Sequence, residues 1–435
     1  MAKGGGKGFE GQANMKKQLL LFTALALAGA AQIRPLPSRS RSAAPAVTFN
    51  NQVARIFQKH CQVCHRPGDI GPFSLTTYAE AAPQARRIRT EVEQRRMPPW
   101  KPVAGFGEFL DERRLSQQEI DLIARWVELG APEGDPRDLP PSLEFSTDWR
   151  LGPPDLVLEM PGEFNIPAGG DDIYRCFSIP MGLLQNRHIT GFEVQPGNRS
   201  VVHHVVLFPD PMELSARLAA GDSQSSYSCF GGPGFPISDI IGAWAPGIQP
   251  QLLPPGIGFR VTAGSRAVLQ VHYHPNGAPQ TDRSRVGLYF ARDAVQRDLQ
   301  LLPIVNENFL IPPGASRHVV TASVVIPSSV RNAKAISILP HMHLLGREMR
   351  LEAVYPDGTR RPLIYIDDWD FDWQATYYYR EPVPLPPLTR IELTAVFDNS
   401  EDNPRNPNRP PRAVRFGEQT TDEMCLALVW LVDQP

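Results

Sequence analysis

The chain is poor in several things at once. It has 5 cysteines in 435 residues, too few to staple a small disulfide scaffold. It has no charge excess, with 44 Lys+Arg against 46 Asp+Glu, which excludes the basic footprint of a DNA- or RNA-binding protein. Beyond the N-terminal region no stretch is apolar enough to span a membrane, and helical periodicity is nearly absent after residue 154. What is abundant is proline, 45 residues, about twice the usual share of about 5%. Proline excludes long helical bundles and fits many short strands joined by turns. With 42% hydrophobic and 21% charged residues the chain can bury sizeable cores, and its length suggests about three domains.

Met15-Lys16-Lys17, the apolar Leu19–Ala28 and the small residues Ala28-Gly29-Ala30 read as a bacterial-type export signal, preceded by an extension, so that 1–31 is extension plus signal. The alternative is an uncleaved anchor, although the apolar run falls short of the roughly 20 residues that a span requires. The mature chain is then expected in the periplasm or secreted, without a membrane span and where disulfides persist. Residues 32–46 read as a Pro/Ser/Arg-rich linker.

Residues 47–133 carry a helical pattern. Asn50–His60 forms one candidate helix, Tyr78–Arg95 a second broken near Pro83, and a third starts at the capping box Ser116-Gln117-Gln118-Glu119 and stops at Gly130 and Pro132. Within this region Cys61-Gln62-Val63-Cys64-His65 has the C-x-x-C-H spacing of covalent haem c attachment. Two thiols three apart can each bond one vinyl group of a haem, and His65 can then bind its iron. C-x-x-C alone also serves redox and zinc sites; the adjacent histidine, the export signal and the small helical domain select haem c. The helix–loop–helix layout resembles the class I cytochromes c. Met97, in Met97-Pro98-Pro99-Trp100, is the expected sixth iron ligand, whose thioether raises the potential. His60 is expected at the surface.

Residues 134–154 read as an interdomain linker, and 155–435 as β-rich, with strands expected at Val201–Phe208, Arg266–His274, His318–Ile326, Met349–Tyr355, Thr389–Phe397 and Cys425–Val432. Asp357-Gly358 marks a hairpin. Most of the 10 histidines fall in three β clusters: His203-His204, His272 with His274, and His341 with His343. In a strand, His341 and His343 share a face while Met342 points away. Adjacent His203 and His204 would point to opposite faces, so joint ligation of a metal needs an irregularity there. Imidazole suits Zn, Cu, Fe and Ni alike.

The run Thr421-Asp422-Glu423-Met424-Cys425 narrows the choice. In order, HHVVLF, SSYSC, AWAPG, LPPGIGFRV, VLQVHYH, IPPG, the H-x-H-x-x-G of residues 341–346, and DEMC resemble the copper type II, ascorbate-dependent monooxygenases, the family of the peptidylglycine alpha-hydroxylating and dopamine beta-monooxygenases. The resemblance covers 155–435. It implies two jelly-roll-type sandwiches, 155–295 and 296–435, after the small all-α cytochrome c-like domain. It implies a first, electron-transferring copper on His203, His204 and His272, and a second, oxygen-binding copper on His341, His343 and Met424. It implies a Cys176–Cys229 disulfide and leaves Cys425 a free buried thiol. His274 has no counterpart among the ligands and reads as a supporting residue. Leu339, Leu426 and Leu428 stand where the peptide hydroxylase carries Arg, Asn and Tyr, which implies a different, more apolar substrate than a peptide carboxylate.

The expected function is an exported haem- and copper-containing monooxygenase, using O2 and a small organic substrate, with electrons from ascorbate or from a periplasmic donor through the fused haem. The competing reading is a non-catalytic electron-transfer or copper-binding protein. A zinc hydrolase is disfavoured, because methionine is a poor zinc ligand and a nearby carboxylate base is missing.

Overall fold

A computed structural model describes residues 47–433, apart from 70, 146–147, 231, 238, 247 and 418. The expected export signal and the 32–46 linker lie outside the described residues.

Side-chain caps start the helices. Thr48 caps a π turn, Phe49–Val53, that runs directly into the helix Ala54–His60. Thr77 and Glu80 form a capping box ahead of Tyr78–Ala81, a 3-10 turn around Pro83 follows, and the helix resumes as Ala85–Glu93. The box at Ser116 and Glu119 starts Gln117–Glu128, so the expected break and the expected cap are both observed. Phe49, Phe57 and Trp126 meet in the centre, with Trp126 fully buried and its Nε1 donating to the Pro132 carbonyl at 3.0 Å.

His60 corrects the expectation of a surface residue. It is buried, with Nε2 3.1 Å from the Glu119 carboxylate. Val53, Ile56, Phe57 and His60 follow the i, i+3, i+4, i+7 spacing of one helix face, so His60 continues the apolar stripe into the bundle. Glu119 both caps its own helix and receives this imidazole.

Residues 47–133 are not helical throughout. After Met97 the chain runs out over the second β-sandwich and then returns. Val103 N donates to Tyr365 O, Leu110 N to Tyr378 O, and Arg380 N to Glu108 O, while Phe109 is buried in the sandwich core. The expected linker 134–154 is likewise pinned down. Arg150 N and Leu151 N donate to the Glu193 carboxylate, Tyr289 Oη donates to Gly152 O, and Trp149 is buried.

The β-rich part consists of two sandwiches that share one continuous eight-stranded sheet. Leu156–Glu159, Arg285–Phe290, Arg187–Gln195 and Ile257–Val261 form its first half, and Arg297–Asn306, Cys425–Val432, Ala333–His341 and Tyr377–Leu385 its second. The halves join through a short parallel pairing, Arg297 with Ile257 and Asp298 with Gly258. A five-stranded sheet with Ile173–Pro180, Arg266–Tyr273 and Val202–Asp210 at its centre covers the first half, and Phe177, Leu207, Leu269 and Val271 pack on Ile189, Phe259 and Leu288. A four-stranded sheet, His318–Val325, Arg390–Phe397, Gly346–Val354 and Arg360–Ile366, covers the second half. The hairpin expected at Asp357-Gly358 joins Gly346–Val354 to Arg360–Ile366, with Gly358 at φ 86°. The Cys176–Cys229 disulfide ties strand Ile173–Pro180 to Ser226–Ser228 at the sheet edge.

Candidate functional site

The first histidine cluster depends on a defect in the sheet. Strands Val202–Asp210 and Arg266–Tyr273 pair antiparallel, but the register shifts between Val202 and His204. Such a bulge re-aims one side chain, and here it brings His203 to the same side as His204, opposite His272. Their Nδ1 atoms lie 3.3 Å (His203–His204), 3.2 Å (His203–His272) and 3.2 Å (His204–His272) apart. A point equidistant from all three would lie about 1.9 Å from each, close to an imidazole–metal bond of about 2.0–2.1 Å. Three nitrogens of this kind fit a single metal ion.

Asp172 orders this cluster. One carboxylate oxygen is 3.0 Å from His272 Nε2 and accepts from Thr420 Oγ1 at 2.8 Å, while the other is 2.7 Å from His274 Nδ1. A carboxylate on Nε2 leaves Nδ1 of His272 as the lone-pair nitrogen and makes it more basic. His274 therefore reaches His272 only through Asp172, and its own side chain is exposed. Tyr174 stacks flat on His272, with ring centroids 4.2 Å apart. Burial, and then the neighbouring His272, hold His203 down to about 4 and His204 well below its ordinary value. Both are neutral donors at neutral pH. Asp172 is raised by burial, but its bonds to His272, His274 and Thr420 outweigh that and keep it ionised.

The second cluster sits where strand Ala333–His341 ends. Met342 turns into the sandwich core, and the rings of His341 and His343 face each other edge to face at 5.1 Å. Each has its Nδ1 engaged, His341 with Gln374 Oε1 and His343 with the Asp422 carbonyl at 3.2 Å. An imidazole held through Nδ1 in this way can offer its Nε2 to a ligand. Glu423 is fully buried and binds the cluster to Met424: its Oε2 accepts from His343 N at 2.9 Å and from Met424 N at 3.3 Å, and Oε1 accepts from Leu345 N. Burial pushes Glu423 up to about 8 in spite of these donors, and burial draws His343 down to about 3. Met424 is half-buried beside strand Cys425–Val432, in which Leu426 pairs with His341 and Leu428 with Leu339. Leu339, Leu426 and Leu428 therefore share the strand pair that carries His341. Met424 is linked to His343 through the Glu423 carboxylate, and a thioether with imidazoles is a ligand type suited to Cu(I).

In the helical region, Cys61, Cys64 and His65 lie on one turn, with His65 N donating to Cys61 O at 2.9 Å. His65 Nδ1 lies 3.0 Å from the Phe73 carbonyl, which fixes the ring and leaves Nε2 for a ligand. Gly71 allows this loop to close, since a Cβ there would meet His65 Nδ1 and Cys64 O at 2.8 Å. The two thiols are not joined to each other, and burial pushes Cys61 up to about 12. This is opposite in direction to the lowered thiol pKa of redox C-x-x-C motifs. Met97 lines a cavity of about 600 Å³ together with Val92, Leu115 and Ile120, and Cys61, Cys64 and His65 are not among that cavity's walls.

Asp172, Gln374 and Glu423 had no signal in the spacing of the sequence, although Glu423 lies inside the DEMC run. Cys425 is free and fully buried, as expected.

Residues 158–279, which include His203, His204, His272 and both disulfide cysteines, match the model of the copper type II ascorbate-dependent monooxygenase N-terminal domain. That stretch is therefore similar to the N-terminal domain of the copper monooxygenases. It is 25% identical over 285 residues to DBH-like monooxygenase protein 1 of Homo sapiens, covering 59% of this chain and 44% of that protein. It is 28% identical over 198 residues to peptidyl-glycine alpha-amidating monooxygenase of Mus musculus, covering 44% and 19%, and 27% identical over 290 residues to peptidyl-glycine alpha-amidating monooxygenase A of Xenopus laevis, covering 64% and 28%. The chain thus spans less than half the length of these relatives. Among solved structures, the major capsid protein P2 of bacteriophage PM2 aligns over 64% of this chain and 96% of its own at 12% identity, with a TM-score of 0.26, too slight a likeness to bear on the fold. That family's metal is copper, and the three converging imidazole nitrogens of the first cluster accommodate it.

Proposed function

We propose that this chain is an exported copper monooxygenase that hydroxylates a C–H bond of a small organic substrate: R–H + O2 + 2e⁻ + 2H⁺ → R–OH + H2O. The observation that carries the reading is the meeting of three Nδ1 atoms within 3.3 Å of one another inside the family-matched domain. His203, His204 and His272 hold the first copper, and His341, His343 and Met424 hold the second. Copper bound there supplies one-electron redox chemistry and activates O2. The protein's own part is to present neutral imidazoles, fixed by Asp172, Gln374 and the Asp422 carbonyl, and to keep charge away from the reacting bond. Leu339, Leu426 and Leu428 put apolar side chains on the strand pair that carries His341, which favours an uncharged substrate, because a carboxylate buried beside them unpaired costs several kcal/mol.

The helical region would carry one covalent haem c on Cys61 and Cys64, with His65 and Met97 as the residues that would hold its iron, and would serve as the electron input. Asp69, four residues past His65, lies 3.0 Å from Arg150 and 3.4 Å from Arg199, itself four residues before His203. This ion-pair cluster sets the C-x-x-C-H loop against the sandwich that bears the first histidine cluster. The Cys176–Cys229 disulfide supports export to an oxidising compartment.

The test mixes haem-reduced, copper-oxidised protein in a stopped-flow instrument and follows oxygen uptake on the same sample with uncharged organic substrates. Haem oxidation matched to copper reduction, and oxygen uptake that depends on substrate, are expected. A haem that stays reduced while ascorbate drives copper would remove the electron-input role. Copper that cycles without substrate-dependent oxygen uptake would favour the pure electron carrier.

A further inference from the structure

The segment 367–376 lies between strands Arg360–Ile366 and Tyr377–Leu385, and its side chains reach both histidine clusters. The Phe371 ring stacks on His203 of the first cluster, with centroids 5.4 Å apart and planes 18° apart. The same ring meets His343 of the second cluster edge to face, at 5.9 Å and 84°. Gln374 adds a third tie, as its Oε1 faces His341 Nδ1 while its Nε2 donates to the Phe371 carbonyl at 2.9 Å.

The base of the segment is anchored. Trp369 is buried, its Nε1 donates to His343 O at 3.2 Å, and its carbonyl accepts from Arg405 at 2.7 Å. Lys101, four residues after Met97, pairs with Asp368 at 2.8 Å and Asp370 at 3.5 Å. The strap from the helical region thus holds the same segment that touches both clusters.

We infer that Phe371 is the positioning residue that fixes the separation and mutual orientation of the two histidine clusters. The first cluster belongs to one sandwich and the second to the other, and among the described residues the Phe371 ring and the Thr420–Asp172 hydrogen bond tie them together. A flat ring suits this place, because it stacks on one imidazole with its face and meets the other at right angles, both favoured aromatic geometries. The inference rests on the copper reading for its functional meaning, whereas the hydrogen-exchange arm of its test needs no metal.

The test uses the full-length protein and the variants Phe371→Ala, Phe371→Leu and Phe371→Tyr. In protein loaded with Cu(II), pulsed dipolar spectroscopy should give one narrow copper–copper distance for wild type and Phe371→Tyr. A broader and longer distribution is expected in Phe371→Ala and Phe371→Leu, with copper content unchanged. In metal-free protein, amide hydrogen exchange at 201–205 and 341–345 should quicken about tenfold without the ring and return to the wild-type rate in Phe371→Tyr. Phe371→Leu retains bulk without a flat ring and decides the matter should Phe371→Ala not fold. Unchanged distances, or unchanged exchange, in Phe371→Leu would overturn the inference. Failure of the wild type to bind two copper ions would overturn the copper reading instead, and the exchange comparison would still decide the role of Phe371.

Discussion

Replacing Asp172 with Asn probes the first metal site through a residue that touches no metal. The carboxylate bears on three groups, His272 Nε2 at 3.0 Å, His274 Nδ1 at 2.7 Å and Thr420 Oγ1 at 2.8 Å, and its side chain is only 18% exposed. Asn keeps the shape but removes the charge that makes His272 Nδ1 a stronger donor, and it can turn an N–H toward His272 Nε2 in place of an acceptor. Losing a carboxylate behind a metal-binding histidine lowers metal affinity about 10- to 100-fold, or about 1.4–2.8 kcal/mol. Competition of Cu(I)-loaded protein with a chromophoric chelator should resolve two affinities, of which only the one assigned to His203, His204 and His272 weakens. Thr420→Val, which removes only the hydrogen bond across the sandwiches, should have a smaller effect on the same site. If Asp172→Asn left both affinities unchanged, the carboxylate would not orient His272 for a metal. An equal loss at both sites would mean that it acts on the packing of the sandwiches instead.

Met424→Ile keeps the bulk and should cost less than about 1.5 kcal/mol of stability, yet copper content should fall from two to one, with the remaining ion spectroscopically that of the three-histidine cluster. Burial pushes Glu119 up, but the Ser116 N–H and O–H and the His60 imidazole pull it down to about 2. Its folded pKa lies below the unfolded one, so its contribution is present above about pH 4.5 and is lost as pH falls toward about 2, amounting to roughly 2–3 kcal/mol after allowance for partial exposure. Circular dichroism at 222 nm should therefore show helix loss in that window for wild type, and Glu119→Gln should be less stable at neutral pH with little further loss there. Replacing Cys176 and Cys229 together with Ser opens a loop spanning 53 residues; loop-closure entropy puts the loss at about 4 kcal/mol, readable by urea denaturation, and a loss near zero would show that the sheet edge holds without the bond.

Local chemistry was legible in the sequence wherever it repeats at short range. The box at Ser116 and Glu119, the break at Pro83 and the hairpin at Asp357-Gly358 all formed where side-chain spacing placed them. His341 and His343 were legible as a pair because Met342 between them goes to the core. The convergence of His203 and His204 was legible only as a requirement, since a bulge leaves no composition signal and the shift at Val202/His204 is set by the partner strand. Asp172, Gln374 and Glu423 act across 33 to 102 residues of chain and could not be read from spacing. His60 was misread because a histidine on an apolar face looks polar in sequence, whereas its partner Glu119 lies 59 residues away. The strap 98–114 was hidden for a related reason: its backbone bonds go to Tyr365 and Tyr378, and only the fold brings these strands beneath it.

The most direct test is copper and haem quantified on one sample of purified full-length protein, with the haem assayed after acid–acetone extraction so that only covalently held haem remains. Two copper ions and one covalent haem per chain are expected. Zinc in place of copper, a single copper, or haem that washes out would contradict the assignment of His203, His204, His272, His341, His343 and Met424 to two copper sites, or of Cys61 and Cys64 to haem attachment, according to which value fails.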